Sequence, residues 1–322
     1  MNIKKRKSIA FLIDPIEHLD FASDSTLLIA KEFQNRGYEL FYFVPENLIF
    51  KNNVLYGDGQ YFKINNEQKS FVLLNAKIMA LKSFSSIFIR QAPPFNQQYL
   101  TTTYLLESLG DQILMLNNPK SIRNITEKLS ILNFKEFIPE TIVSATTSVI
   151  LDFIIKHDMV VLKTLYECAG KNVIKIKYNN NQKLIQSIKD LTIKHGYLML
   201  QEYLPNIIKF GDKRVIFLDG EILGIINRRP VNNEFRVNMT LGSTSYQSSL
   251  TPKEEIICQV ISKFLKKEDL LLVGIDIIDE KLIEINVTSP TGLVAIQNLY
   301  NINVGKIIVD KIEKKLKSCY NP

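Results

Sequence analysis

Two carboxylates and an amide carbonyl stand close together near the C-terminal end of this 322-residue chain. Asp276 lies in the apolar run LLVGIDII, and Glu284 and Asn286 lie in LIEINV. The polar turn Asp279-Glu280-Lys281 separates the two runs, which predicts a strand-turn-strand hairpin. Side chains alternate faces along a strand, so Glu284 and Asn286 share a face and Asp276 can meet them from the partner strand. An all-oxygen set of this kind suits Mg²⁺, with Mn²⁺ as an alternative. Such ions take a few carboxylates and complete their shell with water and phosphate oxygens. On these residues alone, a surface hairpin with a polar wet face is the competing reading.

Other residues upstream bear on the choice. Lys163 ends the apolar run VVLK, where a lysine is placed to meet an anion. Lys128 lies beyond Asn117-Asn118-Pro119, in a helix expected to open at Ser121. Gln201-Glu202-Tyr203-Leu204 follows another apolar run; its backbone can meet an adenine edge, and its carboxylate can meet a ribose. Asp212-Lys213 leads into Arg214, whose planar fork suits carboxylate or phosphate. Arg228 ends the next apolar run, and Arg236 and Asn238 lie in the polar stretch beyond it.

These side chains need scaffolding, and the pattern supplies it. Apolar runs at 8–13, 38–44, 86–89 and 113–117 predict strands. A helix over 22–36 stops at Gly37, and another fills 97–110. Strands alternating with helices predict a parallel α/β sheet through about residue 120. Strands at 159–162, 173–177 and 197–201 follow. After them come strands at 214–218 and 221–226, a helix over 252–267, the hairpin, and an amphipathic helix over 304–317.

Composition narrows the function. Hydrophobic residues make up 46%, which fits a globular chain. No apolar run is long enough to span a membrane. The N-terminal MNIKKRKSIAFLID reads as a basic tail before a buried strand rather than as a signal peptide. Three cysteines, Cys168, Cys258 and Cys319, form neither a paired framework nor a metal spacing, so the cytoplasm is the expected setting. The formal charge of +7 is scattered rather than clustered, which favours a small anionic substrate over nucleic acid.

The order lysine, lysine, Gln-Glu hinge, arginine, then Asp…Glu-x-Asn resembles the ATP-grasp ligases. Over nearly its whole length the chain is similar to the bacterial glutathione synthetases. The segments that carry the resemblance are Asp14-Pro15-Ile16, Arg36-Gly37-Tyr38, Pro93-Pro94-Phe95, Asn118-Pro119-Lys120-Ser121-Ile122-Arg123, Glu127-Lys128-Leu129, Tyr203-Leu204-Pro205, Gly211-Asp212-Lys213-Arg214, and Val273-Gly274-Ile275-Asp276 through Ile285-Asn286-Val287-Thr288-Ser289-Pro290-Thr291.

The resemblance implies an α/β ATP-grasp fold with an α+β lid and an N-terminal parallel-sheet substrate domain. The expected divisions are residues 1–121, a lid region at 122–203, and a catalytic region with the metal hairpin at 204–322. It implies Mg-ATP-dependent joining of γ-glutamylcysteine and glycine through an acyl phosphate, and assembly as a homo-oligomer, commonly a tetramer. ATP would be bound by Lys128, Lys163, Gly170, Gln201, Glu202, Tyr203, Leu204 and Asp212. Arg90, Arg228, Asn286 and Ser289 would hold the other substrates. Arg214, Arg236 and Asn238 would act in catalysis, and Asp276, Glu284 and Asn286 would hold the metal.

The chain departs from the family pattern in three places. A glycine-rich phosphate loop is replaced by Thr164-Leu165-Tyr166-Glu167-Cys168-Ala169-Gly170, where Glu167 must turn outward or pair with Lys171. The loop around Arg236 and Asn238 is poor in glycine. Gln91-Ala92 stands where a Lys-Asp pair is usual, directly after Arg90. Two rivals therefore stay open: a ligase for another acid and amine, and a nucleotide-binding relic without turnover.

Overall fold

The structure is a computed structural model that describes residues 7–65, 67–167, 170–178, 182–230 and 244–320. Among these residues the strands form three sheets. The first contains β1 (Ser8–Leu12), β2 (Glu39–Phe43), β3 (Leu48–Lys51), β4 (Val54–Asn65), β5 (Ser70–Ala80), β6 (Ser86–Ile89) and β7 (Leu114–Leu116). Strands β2, β1, β6 and β7 are parallel neighbours in that order. Helix α1 (Ser25–Asn35), capped by the Asp24 carboxylate, packs on one face against Ile9 and Phe11. Helix α2 (Gln97–Glu107) packs on the other, where Tyr99 and Leu106 meet Ala10 and Leu12. The sheet is not wholly parallel as expected, because β3, β4 and β5 add an antiparallel edge.

Helix α3 (Pro119–Asn124) is short, with Pro119 at its start and the Asn118 side chain capping it. It ends before Lys128, which precedes a 3-10 turn over Leu129–Asn133. The expected helix carrying Lys128 is therefore corrected to a short link ending in a turn, with Lys128 capping the 3-10 segment in a helical backbone conformation.

The second sheet has order β10-β9-β11-β8 and is antiparallel throughout. Its strands are β8 (Thr141–Ser144), β9 (Met159–Thr164), β10 (Val173–Lys177) and β11 (Leu198–Glu202). Helices α4 (Thr147–His157) and α5 (Gln182–His195) contribute Ile150, Ile154 and Ile188 to its core.

After α6 (Ile207–Phe210) comes the third sheet, again antiparallel, in the order β14-β13-β12-β15-β16. Its strands are β12 (Asp212–Leu218), β13 (Glu221–Arg229), β14 (Thr244–Gln247), β15 (Leu272–Ile278) and β16 (Lys281–Asn286). Helix α7 (Pro252–Lys267) begins with a reciprocal capping box between Thr251 and Glu254. Helices α8 (Leu293–Tyr300) and α9 (Val304–Tyr320) return the chain to the first sheet. Ile308, Val309 and Ile312 of α9 share one core with Ile9, Phe11 and Phe33. Arg36 reinforces the seam, pairing with Asp310 at 2.7 Å and Glu313 at 2.9 Å.

Candidate active site

Strands β15 and β16 form the expected hairpin. Asp276 lies directly opposite Glu284, and Gly274 opposite Asn286. Asn286 Nδ2 approaches Asp276 Oδ2 at 3.4 Å, and Glu284 stands across the strand pair from Asp276. The platform is not open to solvent around Asp276, which is only 6% exposed. Strand β12 lies beside β15 with Arg214 opposite Asp276. Its guanidinium spans the carboxylate, Nε to Oδ1 at 2.8 Å and Nη2 to Oδ2 at 2.7 Å. Arg228, one strand further out, donates Nη2 to Asp276 Oδ1 at 2.9 Å and Nε to Asp212 Oδ1 at 2.8 Å. A carboxylate offers about four acceptor positions. Those of Asp276 are taken by two donors from Arg214, one from Arg228 and one from Asn286. Burial opposes its ionisation, but Arg214 and Arg228 outweigh burial and hold its acidity well beyond the usual carboxylate range.

The result is a buried, formally neutral cluster of Arg214, Arg228, Asp212 and Asp276. Asp212, expected beside ATP, here serves as the partner of Arg228. Arg214 also reaches Thr291 Oγ1 at 3.2 Å, which ties the cluster to the loop after β16.

The lysines approach the hairpin from two places, Lys163 from β9 of the second sheet and Lys128 from the link that precedes that sheet. Lys128 Nζ lies 3.6 Å from Glu284 Oε1 and donates to the Glu167 carbonyl. Lys163 is buried, one residue before the end of β9, and donates to Gln201 Oε1 at 2.5 Å across the β9–β11 pair. Gln201 in turn donates to Thr141 Oγ1. Glu202 accepts the Glu140 N–H at 3.2 Å and closes β11. Tyr203 and Leu204 follow as the exit from that strand, with Lys175 over the Tyr203 ring at 5.0 Å.

Burial draws the Lys163 ammonium down to about 8, and neighbouring Lys128 adds to the shift while Glu284 and Asp276 oppose it. An anion binds the protonated form, so bound nucleotide raises this value. Affinity for ATP is therefore expected to be full below pH 8 and to fall above it, by up to about tenfold per pH unit. Nucleotide titrations between pH 7 and 9.5 check this, and Lys163→Arg is expected to flatten the profile.

Glu167 does not aim its charge at Lys171. Its carboxylate accepts from Asn172 Nδ2 at 2.7 Å, and only its backbone carbonyl meets Lys128. Glu167→Gln is therefore expected to change kcat/KM for ATP by less than about threefold, since a neutral acceptor serves Asn172 equally. Initial-rate measurements over a range of ATP concentrations read this out, and a gain of tenfold would mean that the charge faces the nucleotide. The loop backs onto the first sheet through a hydrogen bond from Phe95 N–H to the Tyr166 carbonyl, 2.8 Å. Gly170 has φ +72°, a geometry that glycine adopts without strain. Cys168, Arg236 and Asn238 lie outside the described residues.

Two positioning side chains escaped the sequence pattern. Glu127 is half-buried and accepts Thr288 Oγ1–H at 2.7 Å, while its carbonyl accepts the Ile285 N–H at 3.0 Å. It thus ties Lys128's segment to the hairpin. Burial first, then Glu284, raise its pKa. Its place beside Lys128 in Glu-Lys-Leu was the available signal. Asn117 is fully used: Oδ1 accepts from Leu271 and Leu272 N–H, both 2.9 Å, and Nδ2 donates to the Leu272 and Val287 carbonyls, both 2.8 Å. Nothing in the sequence marks that clamp. Arg90 lies against the same loop, donating to the Pro290 carbonyl, and Ser289 stands half-buried beside it.

Among the described residues no three His, Cys, Asp or Glu side chains gather as a metal site. The donors that do converge are oxygens: two carboxylates and one amide. That chemistry fits a hard divalent cation, provided the arginines release Asp276.

The family model for the prokaryotic glutathione synthetase N-terminal domain matches residues 8–123, and that for the prokaryotic glutathione synthetase ATP-grasp domain matches residues 127–301. The chain belongs to the prokaryotic glutathione synthetase family. Among curated relatives, a glutathione synthetase of Rhodopseudomonas palustris is 35% identical, covering 95% of this chain and 98% of the relative. One from Buchnera aphidicola is 33% identical, covering 98% and 99%. The fold is that of ATP-grasp proteins. D-cycloserine synthetase DcsG superposes with a TM-score of 0.68 at 12% identity, covering 96% of this chain and 100% of that one. D-alanyl-alanine synthetase A from Vibrio cholerae gives 0.63 at 12% identity, covering 97% and 99%. The chain is accordingly an ATP-dependent ligase, and ligases of this kind use ATP with a divalent metal ion. No helix among the described residues is long and apolar enough to cross a membrane.

Proposed function

We propose that the chain joins γ-glutamylcysteine to glycine with cleavage of ATP to ADP and phosphate. The cysteinyl carboxylate attacks the γ-phosphorus and ADP departs. Glycine's amine then attacks the acyl carbonyl, phosphate leaves, and the amine loses a proton. Positioning and charge neutralisation do most of the work in such a phosphoryl transfer.

Lys128 and Lys163 would neutralise the phosphates. Gln201, Glu202, Tyr203 and Leu204 would line the adenosine, and Gly170 would let the backbone approach the phosphates. Arg214 would face the developing oxyanion, joined in catalysis by Arg236 and Asn238. Arg228, Arg90, Asn286 and Ser289 would hold the acid and amine substrates. Asp276, Glu284 and Asn286 would hold Mg²⁺, which supplies charge neutralisation to the polyphosphate. Asp212 is reassigned from nucleotide contact to orienting Arg228.

The observation that supports this most is convergence: both lysines lie within the electrostatic reach of Glu284, on the hairpin that also carries Asp276 and Asn286. Assembly as a homo-oligomer and residence in the cytoplasm belong to the same proposal. The exposed apolar residues of edge strand β5, such as Ile78 at 60% exposure, favour assembly.

The deciding experiment incubates the purified protein with Mg-ATP, γ-glutamylcysteine and glycine, and follows glutathione and phosphate together. Equal yields of both, each requiring all three substrates, are expected. Nucleotide binding without phosphate release would mark a relic, and phosphate release only with a different acid would mark another ligase.

A further inference from the structure

Asp276 can take a cation only by shedding a donor. Each of its oxygens already accepts two hydrogen bonds. Oδ1 receives Arg214 Nε at 2.8 Å and Arg228 Nη2 at 2.9 Å, and Oδ2 receives Arg214 Nη2 at 2.7 Å and Asn286 Nδ2 at 3.4 Å. That fills the acceptor positions of a carboxylate.

The two arginines hold on differently. Arg214 spans both oxygens in a bidentate fork, the strong arrangement for such a pair. Arg228 gives Asp276 a single nitrogen, Nη2, and shares that nitrogen with Asp212 Oδ2. Its Nε goes to Asp212 Oδ1 at 2.8 Å. Arg228 thus has a complete second partner and can leave Asp276 without losing its counter-charge. Asp212 and Arg228 are both buried, so no water is at hand to serve instead.

Charge sets the direction of the exchange. Around the hairpin, Lys128, Lys163, Arg214 and Arg228 stand against Asp212, Asp276, Glu284 and Glu127, four cations against four carboxylates. No negative charge is left over to draw in a bare dication, and the buried guanidinium groups repel one with little screening. A nucleotide polyphosphate brings both the missing negative charge and the oxygens that complete the shell of a divalent ion.

We infer that the arginine pair closes Asp276 to free divalent cations, and that Asp212 is the positioning residue of this gate, the carboxylate that keeps Arg228 when Asp276 becomes a metal ligand. This rests on the proposed role of the hairpin in metal binding. Divalent ion and nucleotide must then favour each other's binding, by the same factor in either direction.

The test titrates the full chain with Mn²⁺ alone, read by electron paramagnetic resonance, and repeats the titration with a non-hydrolysable ATP analogue. The unsubstituted protein is expected to bind bare Mn²⁺ weakly. Asp212→Asn combined with Arg228→Gln removes the ion pair as a unit, so net charge is unchanged and no buried charge is stranded. It frees one acceptor position on Asp276 and is expected to raise affinity for bare Mn²⁺ about tenfold or more, the worth of one charge-assisted bond. Adding Glu284→Gln to that pair is expected to remove the gain. Asp212→Asn alone leaves Arg228 with Asp276 as its carboxylate, and is expected to weaken Mn²⁺ binding beside the analogue about tenfold. Melting curves accompany every variant, and the paired substitution carries the test if Asp212→Asn alone fails to fold. A merely structural Asp212 would not move Mn²⁺ affinity in opposite directions in the two. Bare Mn²⁺ bound as tightly by the unsubstituted protein as by the paired variant overturns the gate and leaves the hairpin metal site standing. Mn²⁺ binding beside the analogue that Glu284→Gln leaves untouched overturns the hairpin as the metal site, and the gate with it.

Discussion

Glu284→Gln is expected to abolish most ligase turnover, by about a hundredfold or more, with the fold intact. Its side chain is 23% exposed and its ion pair to the buried Lys128 is long at 3.6 Å, while Lys128 keeps the Glu167 carbonyl as an acceptor when the carboxylate becomes an amide. What it loses is half of the carboxylate charge available to a divalent ion. Asp276→Asn is expected to lose turnover equally and stability as well. Its side chain and both of its arginine partners are at most 8% exposed. Removing one member of such a buried network costs about 3 to 5 kcal/mol, because the Arg214 guanidinium is left without a counter-charge while Arg228 keeps Asp212. Urea unfolding beside rates over a Mg²⁺ series separates the two variants. Normal turnover of Glu284→Gln at ordinary Mg²⁺ would remove the hairpin from the metal site. Equal unfolding midpoints would deny the burial of the Asp276 network.

Arg214→Lys is expected to lower turnover by about tenfold or more while ATP affinity changes less than about threefold. Lysine keeps the positive charge but is a point donor. It cannot span both oxygens of Asp276 and also reach Thr291, as the guanidinium does at 2.8, 2.7 and 3.2 Å. Single-turnover rates with saturating Mg-ATP, set beside nucleotide titrations, read the two effects apart. A large loss of ATP affinity with full turnover at saturation would move Arg214 from the transition state to ground-state binding.

The hairpin was legible because alternation places Asp276, Glu284 and Asn286 without any knowledge of distant partners. Strands β6 and β10 and helix α7 fall where the pattern put them, the helix marked by Thr251, Pro252 and Glu254. The long hairpin of β4 and β5 was not legible. Gly59 within β4 is needed because a Cβ there would come within 2.1 Å of the Tyr42 carbonyl on the neighbouring strand, an approach that only the paired strands reveal. The arginine network also escaped. Asp276 looked like an open ligand because Arg214 and Arg228 reach it only through the lateral order of β13, β12 and β15, which no local pattern encodes. Lys128 was placed on a helix expected to open at Ser121, but that helix starts at Pro119 and ends at Asn124. Glu127 and Asn117 looked like ordinary polar residues, since their partners are more than 150 residues away.

The shared core of α1, the first sheet and α9 bears on how the chain is made. Ile9, Phe11 and Phe33 are translated long before Ile308, Val309 and Ile312, with which they share a core. Gly305 sits so close to the Leu28 carbonyl that a Cβ would lie 3.1 Å from it, so the two helices meet backbone to backbone. On the ribosome α1 and the first sheet must therefore wait with part of their shared apolar core uncovered until α9 has emerged. Chaperone dependence, and sensitivity to anything that stalls synthesis before α9, follow from this late closure of the core.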